Sequence, residues 1–228
     1  DNMLPIEKPA NYNPEYYELL LRVIEAVKSD NLNSYFIISP MPNNKTDINN
    51  RGAFSTDMIG MNHNYPEASY DEREEIIQAH KDYTLGLLWF MGHDERVPQK
   101  LREQMLSYGL PKDEYIETVH WTPQLYIREA RRMIGRMVMT EDYCLKNKVA
   151  NDPIAWGAYT MDSHNCGRYV VNGMVKNEGD VQRHLTKGPY NISYRAVTPK
   201  ESDARNVIVP VCLSASHIAY GSIRMEPV

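Results

Sequence analysis

Residues 125–139 read LYIREARRMIGRMVM, and the conformation given to this stretch decides the fold class. As a strand it puts Leu125, Ile127, Glu129, Arg131, Met133, Gly135, Met137 and Met139 on one side. All but Glu129 and Arg131 are apolar or glycine. A helix is the alternative, because Arg128, Glu129, Arg132 and Arg136 also fall at helical spacing. The strand is preferred because strand-like runs follow it at residues 154–161, 168–175, 191–197 and 207–213, with Gly173 and Gly188 at turns between them.

Upstream the pattern is helical. Asn13 and Pro14 make a helix start, and Tyr16, Leu19, Leu20, Val23, Ile24 and Val27 follow at helical spacing. The run SYFIIS at 34–39 reads as a short strand closed by Pro40 and Pro42. Residues 40–69, rich in Asn, Pro and Gly, read as a long ordered loop anchored by Phe54, Met58, Ile59, Met61 and Tyr65. Ser69 and Glu72 form a capping-box pair, opening a helix with Ile76, His80, Tyr83, Leu87, Leu88 and Met91 inward and an end near Gly92. Pro98 opens another, with Leu101, Met105 and Tyr108 inward and Gly109 and Pro111 as its stop. Helices followed by strands predict an α+β fold: a helical first half, then a mixed or mainly antiparallel sheet.

Composition narrows the function classes. The 228 residues suit one large domain or two small ones. A formal charge of -5 argues against a nucleic-acid binder driven by phosphate contacts. No apolar run approaches the ~20 residues of a membrane helix. Cys144, Cys166 and Cys212 have neither disulfide nor zinc-knuckle spacing and read as buried thiols. The seven histidines form no metal-binding pattern, and neither a P-loop nor a GxGxxG occurs. Sixteen Tyr against three Phe suit a polar-lined cleft or a wet interface.

Three clusters could carry chemistry. In the first, Arg128-Glu129-Ala130-Arg131-Arg132, the charges either form a structural ion network or face a polar cleft, where arginine grips carboxylates in a fork. The second is Met161-Asp162-Ser163-His164-Asn165. Its Asp, Ser and His are too close in sequence to form a triad among themselves, but His164 can donate a proton or serve as a structural hydrogen-bonder. In the third, a buried strand runs into Leu213-Ser214-Ala215-Ser216-His217 and then Gly221 to Pro227. Small residues after a strand let a ligand approach the backbone, though they also suit a plain loop.

At these clusters the chain resembles a known family. The stretches DINNRGAFSTDMIGMNHNYPEASYDEREEIIQAHKDYTLGLLWF, YIREARRMIG, YTMDSHN, KNEGDVQ, PYNISYRAVTPK and IVPVCLSASHIAYGSIRMEPV are similar to bacterial FAD-dependent oxidoreductases, some of which carry a xanthan lyase label. The resemblance is collinear over nearly the whole chain. It implies FAD as cofactor, held in the full-length parent by a GxGxxG segment that this sequence does not contain. It also implies that residues 1–206 are a substrate-side domain and 207–228 the last strand and loop of an FAD-binding domain. On that reading the chain is an interior fragment, inactive alone, and apolar surface facing the rest of the parent invites dimerisation.

The roles follow by matching motif. Arg128 and Arg131 in the YIREARRMIG block become candidates for holding substrate oxygen or carboxylate. His164 in the MDSHN block becomes an acid/base or polarising group. Ser214, Ser216, Arg224 and Glu226 fall in the flavin-side block, and the loop around Asp57 and Asn62 covers the substrate. Cys166 and Gly167 stand where the family has a bulkier polar pair, so this chain's turn departs from the pattern. The implied substrate is small and polar or carbohydrate-like, and no metal is implied. Two other functions stay open: a carbohydrate-active lyase, and a non-catalytic module whose Tyr- and Asn-rich loop binds a glycan or partner.

Overall fold

The computed structural model describes residues 2–127, 131–179, 182–183 and 188–223. The chain forms two compact units, Asp1–Tyr126 and Ile127–Val228. This division is separate from the 206/207 boundary that the family resemblance implies.

The first unit is mainly helical. Strand β1 (Met3–Leu4) precedes a 3-10 turn at Pro14–Tyr17 that runs into α1 (Glu18–Val27). The Asn13 side chain accepts from the Glu15 N–H, as its N-cap position predicts. Helix α1 buries Leu20 and Ile24 and leaves Val27 exposed, as Tyr16 is in the turn before it. Strand β2 (Phe36–Met41) pairs with β3 (Lys45–Asn50) in an antiparallel hairpin from Phe36↔Asn50 to Met41↔Lys45. The expected loop therefore begins only after residue 50. Strand β3, KTDINN, has one apolar residue, Ile48, so it carries no alternating signal. Asn43 and Asn44 take left-handed φ at its turn, a conformation asparagine tolerates.

Helix α2 (Tyr70–His93) carries the complete capping box: the Glu72 N–H bonds Ser69 Oγ, and Glu72 Oε2 accepts from the Ser69 N–H. That bond and the Ser69 hydroxyl hold the Glu72 carboxyl below its usual range. Tyr83, Leu87 and Met91 lie inward as expected, joined by Phe90 and Asp82. Helix α3 (Gln99–Met105) buries Leu101 and Met105, and β4 (Leu110–Pro111) pairs with β1. The core gathers Tyr17, Leu20, Tyr35, Phe36, Phe54, Leu87 and Phe90, each removed from water at a gain of roughly 1.5–3 kcal/mol.

The second unit contains α4 (Glu141–Cys144), β5 (Pro153–Gly157), β6 (Met161–Asp162), β7 (Asn165–Val171), β8 (Met174–Gly179), β9 (Gln182–Arg183), β10 (Tyr190–Ser193), α5 (Tyr194–Val197) and α6 (His217–Ile223). Its strands form antiparallel pairs: β7 with β8, β5 with β10, β6 with β9. Asn172 and Gly173, both at positive φ, form the two-residue turn joining β7 to β8. The fold is α+β, with small antiparallel pairs in place of one large sheet among the described residues.

Two strand expectations are corrected. Residues 131–139 form no strand; they make only the isolated bridges Gly135↔Pro199 and Met139↔Ala215. Gly135 sits where a Cβ would lie 2.7 Å from the Thr198 carbonyl oxygen, and Arg136 bonds Thr198 Oγ1. Close approach and side-chain anchoring thus replace a regular ladder. Residues 207–213 are likewise irregular, with Val207, Ile208 and Val211 exposed; their backbone bonds run from Val209 N–H to Val197 O and from Met133 N–H to Cys212 O. The chain turns helical at residue 217, within a block expected to continue as loop.

Met139, Met161, Tyr190, Ile192, Val197, Leu213, Ala219 and Ile223 make up most of the second core. Asp152 ties its edge together, accepting from Ser193 Oγ and from Arg195 Nε and N–H. Of the cysteines only Cys144 is buried; Cys166 is half-buried and Cys212 exposed.

Candidate active site

The second unit brings together the described parts of the three clusters that the sequence singled out. Met133 N–H donates to Cys212 O at 2.9 Å, Met139 N–H to Ser214 O at 3.0 Å, and Ser216 N–H to Met139 O at 2.8 Å. The segment carrying Arg131 and Arg132 is thereby laced to the Ser214-Ala215-Ser216 block. Arg132 adds a side-chain bond, Nε to Ala215 O at 3.3 Å, and its guanidinium lies 5.0 Å from the Tyr220 ring centre. Arg131 opens this segment and is exposed.

Helix α6 carries the link to the second cluster. Gly221 lies against β6 so closely that a Cβ there would overlap the Asp162 carbonyl. Ser222 Oγ donates to Tyr159 O and meets Tyr190 Oη at 2.8 Å. His164 sits half-buried in the two-residue link between β6 and β7, with Ser163 and Asn165 buried beside it. At the far end of the β7–β8 hairpin, Gly179 takes φ 98°, and a Cβ there would stand 2.6 Å from the His164 carbonyl oxygen. Substitution of either glycine would therefore move the His164 turn.

Two polar atoms at this junction are shut away from water without a hydrogen-bond partner: Thr140 Oγ1 and Ser214 Oγ. Both residues flank the Met139↔Ala215 bridge. Ser214 was expected at the site from the sequence, and Arg132 belongs to a cluster singled out there; Thr140 was not expected. Thr140 precedes α4 and caps nothing with its side chain, so it carries no motif signal. Ser216 is half-buried at the start of α6. Arg128, Arg224 and Glu226 lie outside the described residues.

Asp57 and Asn62 belong to the first unit. Asp57 N–H donates to Ser55 Oγ, and Tyr65 N–H to Asn62 O. Their loop is pinned to α2 by Tyr83 Oη on Ser55 O and by Arg73 on the Tyr65 and Pro66 carbonyls. Of its expected apolar anchors Phe54 is buried, whereas Met61 is exposed. Among the described residues no group of three His, Cys, Asp or Glu could hold a metal ion, and no helix is long and apolar enough to cross a membrane.

A search of curated proteins and a search of solved structures each find no match. A protein-family model described as FAD dependent oxidoreductase matches residues 1–228, the whole sequence. The chain therefore belongs to the FAD-dependent oxidoreductase family.

Proposed function

We propose that the second unit supplies the flavin-ring and substrate side of a hydride-transfer site. The observation that carries this reading is the pair of orphaned hydroxyls: Ser214 Oγ, in the block that the resemblance assigns to the flavin side, and Thr140 Oγ1, beside it across the Met139↔Ala215 bridge. A buried hydroxyl without a partner costs roughly 1–3 kcal/mol. A flavin ring, with carbonyl and N–H groups along its pyrimidine edge, offers suitable partners, so the residues present fit the cofactor.

When bound, FAD supplies two-electron redox chemistry. The chain's own residues do the rest. Ser214 and Thr140 hold the ring by hydrogen bonds. Ser216 lies beside them at the start of α6. Arg131 and Arg128 bring positive charge to a substrate oxygen or carboxylate. His164 accepts or returns the substrate proton, a task suited to imidazole near neutral pH. Contacts with the pyrophosphate are not assigned to this chain, whose sequence holds no GxGxxG. The substrate is small and polar.

An FAD titration by flavin fluorescence, on this chain and on a polypeptide extended at both ends, tests the reading. Binding by the extended polypeptide, weakened by Ser214→Ala, is the expected result. Absence of binding by both, or binding indifferent to residues 140 and 214, would sink it.

A further inference from the structure

The first unit contains a half-open cleft of about 390 Å³ whose chemistry differs from that of the redox site. It is lined by the exposed Tyr16, the buried Tyr17 and Tyr83, and the acidic residues Glu75 and Asp82, with Met58 contributed by the loop that carries Asp57 and Asn62. The volume falls in the range of small-molecule sites.

The electrostatics are one-sided. No lysine or arginine lines the cleft. Asp82 is only 8% exposed, yet its two oxygens are met by neutral donors alone: Asn11 Nδ2 at 2.8 Å and Gln78 Nε2 at 2.8 Å. Buried charges are ordinarily paired with an opposite charge, and amide donors leave the net negative charge in place. Glu75 is exposed at the rim. The Lys81 ammonium stands 5.9 Å from the Trp121 ring centre, and that of Lys8 4.9 Å from the Tyr12 ring centre.

The aromatic wall is prebuilt. Tyr17 Oη donates to Tyr83 O at 2.9 Å, and Tyr83 Oη to Ser55 O at 2.9 Å, so both hydroxyls are spent on backbone. Ring centres stand 5.7 Å apart for Tyr17 and Tyr83, and 6.4 Å for Tyr16 with each of them. Burial, and then the neighbouring tyrosines and Asp82, hold the Tyr17 hydroxyl protonated far above its usual range. The wall is thus neutral and π-rich, while Asp82 and Glu75 carry the charge.

We propose that this cleft binds a small organic cation of the alkylammonium class, with the exposed Tyr16 ring contacting its apolar shell and Asp82 supplying the buried counter-charge. Aromatic walls with a carboxylate are the chemistry that recognises such cations. A neutral sugar would satisfy the amides and tyrosines but would leave the Asp82 charge uncompensated. The inference does not depend on flavin binding, because it rests on the first unit alone.

Calorimetric titration of the intact chain with choline, with the uncharged isostere 3,3-dimethylbutan-1-ol, and with glucose tests it. Saturable choline binding, with the isostere at least about tenfold weaker, is expected, since about one order of magnitude is what a modest charge term supplies. Asp82→Asn keeps the side-chain shape and should weaken choline about tenfold or more. Glu75→Gln, at the rim where folding is not at stake, should weaken it by a smaller factor that shrinks further with added salt. Equal binding of the isostere, preference for glucose, no binding by any probe, or choline binding unchanged in both variants would each overturn the proposal.

Discussion

Gly221 in α6 and Asp162 in β6 are in backbone contact, with no room for a Cβ between them. This approach joins the Ser214–Ser216 block to the turn that carries His164. In an exposed helix, Gly→Ala would stabilise by about 1 kcal/mol. Here the clash is with backbone, which cannot rotate aside. Gly221→Ala is therefore expected to destabilise the second unit by about 2 kcal/mol or more, read as a lowered urea midpoint.

The orphaned hydroxyls predict an unusual sign. Ser214→Ala and Thr140→Val remove buried oxygens that bond nothing, and Thr140 caps no helix with its side chain. Each variant should be as stable as the parent chain or up to about 1 kcal/mol more stable. In a polypeptide that binds FAD, the same changes should raise the flavin Kd. Denaturant melts and flavin titrations on the same variants separate the two effects.

Asp152 gives the second unit an acid-sensitive edge. The Arg195 side chain, helped by Ser193 and the Arg195 N–H and opposed by partial burial, holds its carboxyl down to about 2. The unfolded carboxyl titrates near 3.9. Because the folded value is the lower one, the stabilisation is fully present above pH 4 or so and is lost as pH falls through about 2. Arg195 is 43% exposed on its side chain, so solvent screening limits the effect to about 1 kcal/mol. Asp152→Asn should flatten the stability profile between those pH values.

Thiol reactivity should separate the cysteines. Burial pushes the Cys144 thiol up to about 11, against the lowering effect of a Tyr190 hydrogen bond, whereas Cys212 is exposed. At neutral pH an aromatic disulfide reagent should label Cys212 in the folded chain and reach Cys144 only on unfolding. Mass mapping after brief labelling checks the order. Early labelling of Cys144 would mean that α4 opens readily.

Much was legible wherever a local rule suffices. Ser69 and Glu72, the two ends of one four-residue capping motif, announced α2, and Asn13 announced a helix start that forms as a 3-10 turn leading into α1, because caps are set by neighbours in sequence. The blocks 131–132, 161–165 and 213–217 were singled out for their residue types, and Ser214 was among them. What stayed hidden had no local signature. Strand β3 is polar and exists because β2 pairs with it. Residues 131–139 alternate like a strand, yet they spend their backbone on Thr198, Cys212 and Ser214 instead of a ladder.

The sequence by itself determined the helix starts, the α+β class and the family, since each is written in short-range pattern or collinear motif. Only the tertiary structure decided that Thr140 and Arg132 join Ser214, that Gly221 must be glycine, and that Asp82 lies buried among tyrosines. Those facts depend on which distant backbones approach within a few ångströms, and packing of the whole unit sets that distance.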